Sequence, residues 1–375
     1  MREFHTQTAV RGIAAPAVLE ALLAHLTEHE FIATRGEEGW VLDYESARIV
    51  FTAHDDCLGA RITAPTQEAL FDARMMAHYH LAEYAACEPA DIEWEGDQPA
   101  FVRPPAFRVL TVLHVEDLSP HLRRVRFQGD DLARYERADD LHCKLLLPQP
   151  GVVEPEWPIL GDDGMPRFPE GEKRLDMRTY TIRRLDTVAG WIDIDFVLHD
   201  DAGPGSRWAA RARPGDQIGV SGPGGRTARP AAWMMLAADE TGLPAIARIT
   251  EQLPPQTQGE VIVEIQSAAD QIPLNIPAGM RLRWLHREHR RPGVSTLLQE
   301  AIQACDIPAA GDRFVWVAAE FSTAQTVRAW LRDGLGFSGK DQLVVAYWRH
   351  GMDEATMKSG GRRVAPVSES PKAAE

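Results

Sequence analysis

The chain has 375 residues, a formal net charge of −15 at pH 7, 44% hydrophobic and 25% charged residues, and four cysteines. Such a composition belongs to folded domains, and the length predicts two or three of them. The charge disfavours nonspecific nucleic-acid binding, and no apolar run approaches the roughly 20 residues of a membrane-spanning helix, so neither a nucleic-acid partner nor membrane insertion is expected.

Cys57, Cys87, Cys143 and Cys305 lie far apart with no C-x-x-C pair, which argues against a disulfide framework, a zinc knuckle or an iron–sulfur cluster. The opening MREFHTQTAVRG lacks a signal-type apolar core; the expected location is the cytoplasm.

In chain order, PAVLEALLAHLTEH repeats Leu19, Leu22, Leu23 and Leu26 at helical spacing. Strand-like pieces follow, among them WVLDYESARIVF, and then a second helix, QEALFDARMMAHYHLAEYA, with Leu70, Phe71, Arg74, Met75, His78 and Leu81 on one side. Residues 1–98 therefore read as a small α+β domain, and Pro99, Pro104 and Pro105 mark a linker.

From 104 to 228 the texture changes to β-branched and aromatic runs separated by Gly and Pro, which predicts a six-stranded antiparallel β-barrel. From 229 to 355 strand runs such as AAWMMLAADE and RFVWVAAE alternate with helical runs such as LPAIARITEQL. That alternation predicts a Rossmann-like parallel sheet. Residues 356–375 are polar and small and read as a disordered tail.

Several motifs imitate chemistry. GLGFSGKD, from Gly334, has P-loop spacing, but Asp341 stands where a hydroxyl is needed and the segment leaves a helix instead of a strand; a helix-ending glycine turn fits better. His25 and His29 in HLTEH share a helix face, yet it is the polar face and no third metal ligand is evident. HREHRR, from His286, is a metal site, a surface loop or a basic patch for an anion or the coenzyme.

Three other features fall on suitable elements in a suitable order. RTYT places Arg178 and Tyr180 on one face of a strand, and Thr179 and Thr181 on the other. A flavin needs such a set: a ring to stack on, hydrogen-bond partners and a cation for phosphate. A plain half-buried strand is the alternative. In DFVLHDDAGPGSRWAARA, Ser206 starts a short helix after a glycine turn, a place for a pyrophosphate or simply a capped helix with Trp208 in the core. ADETGLPAI lies at the first strand-to-helix junction of the parallel sheet, where dinucleotides bind, although Asp239, Glu240 and Thr241 replace the usual glycines.

From Phe107 to Gly351 the chain resembles the siderophore-interacting proteins, the ferric-siderophore reductases of the ferredoxin-reductase superfamily. The resemblance is carried by RTYTIRR, DIDFVLH with GPGSRWA, PGDQIGVSGPGG, ADETGLPAI and YWRHG, in that order. The first 98 residues resemble a small uncharacterised domain sometimes fused to these reductases. The resemblance implies FAD as cofactor, NADPH or NADH as donor, and a ferric siderophore as substrate.

By position it implies that Arg178, Thr179, Tyr180 and Thr181 meet the flavin, that Asp195, Phe196, Val197 and His199 line the rest of the FAD, and that Ser206, Trp208 and Ala209 form its pyrophosphate helix. It implies Asp239, Glu240 and Thr241 on the nucleotide side. Lys144 and Arg349 match positions that hold an anionic siderophore, and where GPRG is expected this chain reads GPGGR, so a third contact has moved to Arg226 or been lost.

On this reading no residue acts as acid, base or nucleophile, and no protein-bound metal is expected. Nicotinamide gives two electrons as a hydride while Fe(III) takes one, and a flavin can hold the second between transfers. Fe(II) is then released, because the hard oxygen ligands of a siderophore favour Fe(III). Alternatives are a siderophore-binding or sensing protein without turnover, or a flavin reductase of the same superfamily. The chain is expected to be a monomer, with residues 1–98 dispensable for flavin reduction. A 2'-phosphate would have to be met by His286 and Arg287, since IQSAADQIPL offers no cation.

Overall fold

The structure, a computed structural model, describes residues 2–28, 31–98, 100–136, 140–199 and 203–352; the expected tail at 356–375 lies outside them. It divides into two compact units, Met1–Pro105 with Glu156–Pro169, and Ala106–Pro155 with the chain from Glu170 onward. Among the described residues no helix is long and apolar enough to cross a membrane.

The first unit lays two helices on an antiparallel sheet. Its strands are β1 (Phe4–Arg11), β2 (Ala33–Arg35), β3 (Trp40–Tyr44), β4 (Ala47–His54), β5 (Cys57–Ala64) and β6 (Glu95–Gly96), in the order β2-β3-β4-β5-β1-β6. Period-2 alternation puts Leu42, Ile49, Phe51, Leu58 and Ile62 in the core, each at most 1% exposed. The helices are α1 (Ala15–Glu28) and α2 (Gln67–Ala85). α1 buries Leu19, Leu22 and Leu26, and α2 buries Leu70, Phe71, Arg74, His78 and Leu81, the face that periodicity predicts. Thr66 caps α2 by accepting from the Ala69 N–H at 3.1 Å, and Ala86 ends it in the left-handed region.

The second unit begins with the barrel strands β7 (Phe107–Ser119), β8 (Leu122–Gln128) and β9 (Asp140–Pro148). After β9 the chain passes through β10 (Ile159–Leu160) and β11 (Pro166–Arg167), a hairpin that belongs to the first unit although it falls within the stretch expected to be barrel. The barrel resumes with β12 (Leu175–Thr181), β13 (Arg184–Asp186), β14 (Trp191–Val197), helix α3 (Pro204–Arg211) and β15 (Gln217–Arg226). The sheet order is β12-β9-β15-β7-β8-β14-β13, so the six expected strands are joined by a short seventh, β13. Beyond β12, the Arg183 N–H donates to the Asp193 carbonyl of β14 at 3.0 Å and draws the two ends of the sheet together.

The parallel sheet follows: β16 (Trp233–Asp239), α4 (Leu243–Gln252), β17 (Gln258–Ile265), β18 (Gly279–His286), α5 (Leu297–Gln303), β19 (Arg313–Glu320), α6 (Phe321–Ala329) and β20 (Gln342–Trp348). Its order, β18-β17-β16-β19-β20, reverses between β16 and β19. Both faces of β16 are fully buried, Met234, Leu236 and Ala238 on one and Met235 and Ala237 on the other, as a sheet covered by helices on both sides requires. GLGFSGKD is a helix-ending turn: Gly336 has φ +69° and its N–H donates to the Arg332 carbonyl at 3.2 Å.

Candidate functional site

The first cluster grows from β12 and its neighbour β9. Antiparallel register sets Thr179 opposite Lys144, Tyr180 opposite Cys143 and Thr181 opposite His142. Arg178 and Tyr180 are half-buried, Thr179 is exposed and Thr181 is buried. The Lys144 ammonium donates to the Thr179 hydroxyl, and Arg178 donates to the Met177 carbonyl at 2.8 Å.

Tyr180 packs against two neighbours. Phe196 is fully buried at a ring separation of 4.5 Å, and Phe196 in turn meets Trp208 at 5.8 Å. Gly205 of α3 lies at the hydroxyl end of the ring, where any Cβ would run into the Tyr180 hydroxyl. The glycine is there because the tyrosine occupies the space that a side chain would take.

Ser206 is not the N-cap that the sequence suggests: α3 starts at Gly203 with no side-chain cap, Ser206 lies within its first turn, and Pro204 there has no N–H to satisfy. The remaining first-turn N–H groups suit a phosphate beside Tyr180. The Ser206 hydroxyl accepts from the His199 N–H at 3.3 Å, which folds the end of β14 onto the helix. Trp208 and Ala209 lie in the barrel core, so they support the helix and do not line a surface.

Asp195 departs from the expectation that its side chain faces a ligand. Its carboxylate is buried and accepts two hydrogen bonds from Arg124, at 2.7 and 2.8 Å, while Arg126 holds Asp193 in the same way. These are ion pairs of the barrel wall. Val197 is half-buried and His199 exposed.

The second cluster is at the carboxyl ends of the parallel strands. Asp239 is buried and fully engaged: Oδ1 accepts from the Thr241 N–H at 2.9 Å and from its hydroxyl, and Oδ2 accepts from the Glu320 N–H at 3.0 Å and the Trp348 indole N–H at 2.8 Å. Burial first, and the Glu240 charge second, push its pKa up to about 6. Glu240 accepts from both terminal nitrogens of Arg287 at 2.6 Å.

That pair corrects one expectation. Arg287 is only 2% exposed and committed to Glu240, so it is not offered to a 2'-phosphate; His286 is half-buried, with its Nε2 3.0 Å from the Gln271 amide. Asp239 and Glu240 thus shape the junction through their own partners, and what they leave for a nucleotide is backbone. Gly242, which no glycine pattern in the sequence singled out, does the packing there: its Cβ would lie 2.5 Å from the Ala238 Cβ and 3.1 Å from the Ala318 carbonyl. It serves as the close-approach glycine of a strand-to-helix turn.

His142 links the clusters. Its Nε2 lies 2.7 Å from the Tyr347 hydroxyl, one residue before the Trp348 that binds Asp239, and its ring fills the space over Gly225 that a Cβ would need. Burial pushes the His142 pKa down to about 4. Arg349 follows on the same strand end, its guanidinium 4.5 Å from the Phe321 ring. Arg226 ends β15, and its side chain lies outside the described residues. Among the described residues no cluster of His, Cys, Asp and Glu could hold a metal ion.

Residues 111–227 match the family described as the siderophore-interacting FAD-binding domain, residues 231–351 the siderophore-interacting protein family, and residues 7–95 DUF2218, an uncharacterised family conserved in bacteria. Over 251 residues the chain is 30% identical to the ferric vibriobactin reductase ViuB of Vibrio cholerae, covering 66% of this chain and 91% of that one. It is 34% identical over 220 residues to an NADPH-dependent ferric-chelate reductase of Escherichia coli, covering 57% and 82%. A solved siderophore utilization protein from T. fusca has a TM-score of 0.60 at 38% identity, over 66% of this chain and 94% of that one. The barrel with its tyrosine-bearing strand, the parallel sheet behind it and these matches lead to one conclusion: the chain belongs to the siderophore-interacting protein family, with a DUF2218 domain ahead of its two family domains.

Proposed function

We propose that the protein is a ferric-siderophore reductase that holds FAD against β12 and α3, takes a hydride from NADPH or NADH, and delivers single electrons to siderophore-bound Fe(III). The observation that carries this reading is the packing of Tyr180 against Phe196 and Gly205, on a strand that also presents Arg178 and Thr179 with Lys144 directly across. FAD fits these residues. They supply a supported aromatic face, a half-buried cation, and a helix start without a side-chain cap beside the ring.

When bound, the flavin converts a two-electron donor into a one-electron donor. The chain's own part is positioning. Tyr180 orients the ring system, Arg178 and the first turn of α3 meet the phosphates, and the β16–α4 junction at Thr241 and Gly242 receives the nicotinamide nucleotide. Lys144 and Arg349, with Arg226 as a third cation, gather an anionic ferric siderophore; a local patch is needed because the net charge of −15 repels such a ligand. The donor coenzyme is made inside the cell, which puts the reaction in the cytoplasm.

The purified protein is expected to be yellow, to release FAD on heating, to bleach anaerobically with NADPH or NADH, and to recover its colour with a ferric siderophore while a ferrous chelator captures Fe(II). A colourless protein, or FMN in the heat extract, overturns the reading.

A further inference from the structure

β9 and β12 are adjacent antiparallel strands, with Pro148 opposite Leu175. A turn of two to five residues joins such a pair in most sheets. Here the connection runs through the whole of 149–174, a length uncommon for a passive loop. Glu156–Pro169 within it folds as part of the first unit.

Inside that unit the excursion is tied to residues outside it by bonds at Leu160 and Asp163 and braced internally around Asp163. The Leu160 N–H donates to the Val102 carbonyl at 2.9 Å, and the Gly161 N–H donates to the Met165 carbonyl at 2.9 Å. Asp163 Oδ1 accepts from the Met165 N–H at 3.0 Å and Oδ2 accepts from Arg167 at 2.6 Å. The Asp163 carbonyl accepts from Arg74.

Arg74 is the unusual member. It sits on the core-facing side of α2 among Leu70, Ala73, Ala77 and Leu81, and is 1% exposed. Arginine is almost never buried so completely without partners that justify it. Burial pushes its pKa down to about 10. Its second terminal nitrogen donates to Gln98 at 2.9 Å, and the guanidinium lies 5.4 Å from the Trp94 ring. A leucine or methionine would fill this position at less cost; what the guanidinium adds is the grip on residues 98 and 163.

Both ends of the gripped segment continue covalently into the strands that carry Lys144, Arg178, Thr179 and Tyr180. We propose that the first unit is a positioning element for that strand pair, with Arg74 clamping the β9–β12 connection, so that FAD affinity depends on a domain that carries none of the FAD contacts. The inference rests on the FAD reading above, and it reverses the expectation that residues 1–98 are dispensable.

The test uses the full chain in three variants: Arg74→Met, Arg74→Lys, and a tether variant with four Gly/Ser residues inserted after Pro155 and four after Pro169. The last leaves the clamp intact and lengthens only what joins it to the barrel. FAD dissociation constants are measured by flavin fluorescence, and backbone hydrogen exchange is followed across 149–181. Arg74→Met is expected to speed exchange at 156–169 and to weaken FAD at least about fivefold, the lower end of measured site couplings, with Arg74→Lys recovering part of both. The tether variant is expected to weaken FAD similarly while exchange at 156–169 stays at the wild-type level.

Wild-type FAD affinity in the tether variant overturns the proposal, and that variant decides the matter if Arg74→Met does not fold. If the wild-type chain binds no FAD, the proposed function falls. The clamp is then judged by exchange across Leu175–Thr181, which must rise in the tether variant and sinks the proposal if it does not.

Discussion

Gly205→Ala separates the packing role of this glycine from its helix position. Gly205 lies in α3 at an ordinary helical backbone angle, so helix propensity alone makes alanine better by about 1 kcal/mol. Packing opposes this. The new Cβ overlaps the Tyr180 hydroxyl and lies 2.9 and 3.1 Å from ring carbons Cζ and Cε2, where carbon contacts settle near ~3.5–4.0 Å. The buried Phe196 ring, 4.5 Å from the Tyr180 ring, limits how far Tyr180 can shift. Overpacking of this kind costs about 1–3 kcal/mol, a net loss of about 0–2 kcal/mol in folding stability after the helix gain, and a Tyr180 displaced from its place is expected to weaken FAD by at most about the same 1–3 kcal/mol, roughly 5- to 150-fold. The assays are FAD titration and thermal unfolding of the flavin-free protein. Gly203→Ala is the control, since a Cβ there meets nothing within 4 Å; it is expected to change stability by no more than about 1 kcal/mol. Adding Tyr180→Phe to Gly205→Ala removes the worst overlap and is expected to restore part of the lost melting temperature. Wild-type melting temperature and FAD affinity in Gly205→Ala would refute the reasoning.

Asp195→Asn, which leaves Arg124 without its charge partner in the barrel wall, is expected to cost about 3–5 kcal/mol in urea unfolding, while Arg124→Met with Asp195→Leu recovers most of it; equal losses in the single and double variants would contradict the ion-pair account. His142 is neutral in the folded protein down to about pH 4, whereas its unfolded counterpart takes up a proton near the ordinary value of 6.5. Stability is therefore lost as pH falls from 6.5 to 4, by up to about 1.4 kcal/mol per pH unit, and His142→Asn is expected to have the shallower profile; identical slopes would show that His142 is not the titrating group. Lys144→Ala with Arg349→Ala is expected to raise KM for an anionic ferric siderophore several-fold, at about 1 kcal/mol per contact, and to reduce its salt dependence without slowing anaerobic flavin reduction. An unchanged KM and salt profile would remove both residues from the substrate site.

Local pattern determined much of this protein. The helical repeat that ends in HLAEYA gives α2 its full length, short β-branched and aromatic runs place β7, β8 and β14, and continuous apolar runs place the buried strands of the parallel sheet. RTYTIRR and ADETGLPAI lie where the sequence places them, on a barrel strand and at the first turn of the parallel sheet, because hydrophobic period and turn residues are properties of neighbours in the chain; that Lys144 stands beside the first is a matter of strand register. Side-chain commitments are not such properties. Asp195, Asp239 and Glu240 read as ligand contacts in one dimension, but Arg124, Trp348 and Arg287 reach them across 71, 109 and 47 residues and take up their oxygens. Gly205 reads as part of a glycine turn and Gly242 belongs to no glycine pattern, and only the approach of Tyr180 and Ala318 explains them. The capture of Glu156–Pro169 by the first unit left no periodic trace either. Its contacts include a bond from a buried arginine to a backbone carbonyl, and a carbonyl is present at every residue, so only the tertiary structure could decide which one Arg74 would find.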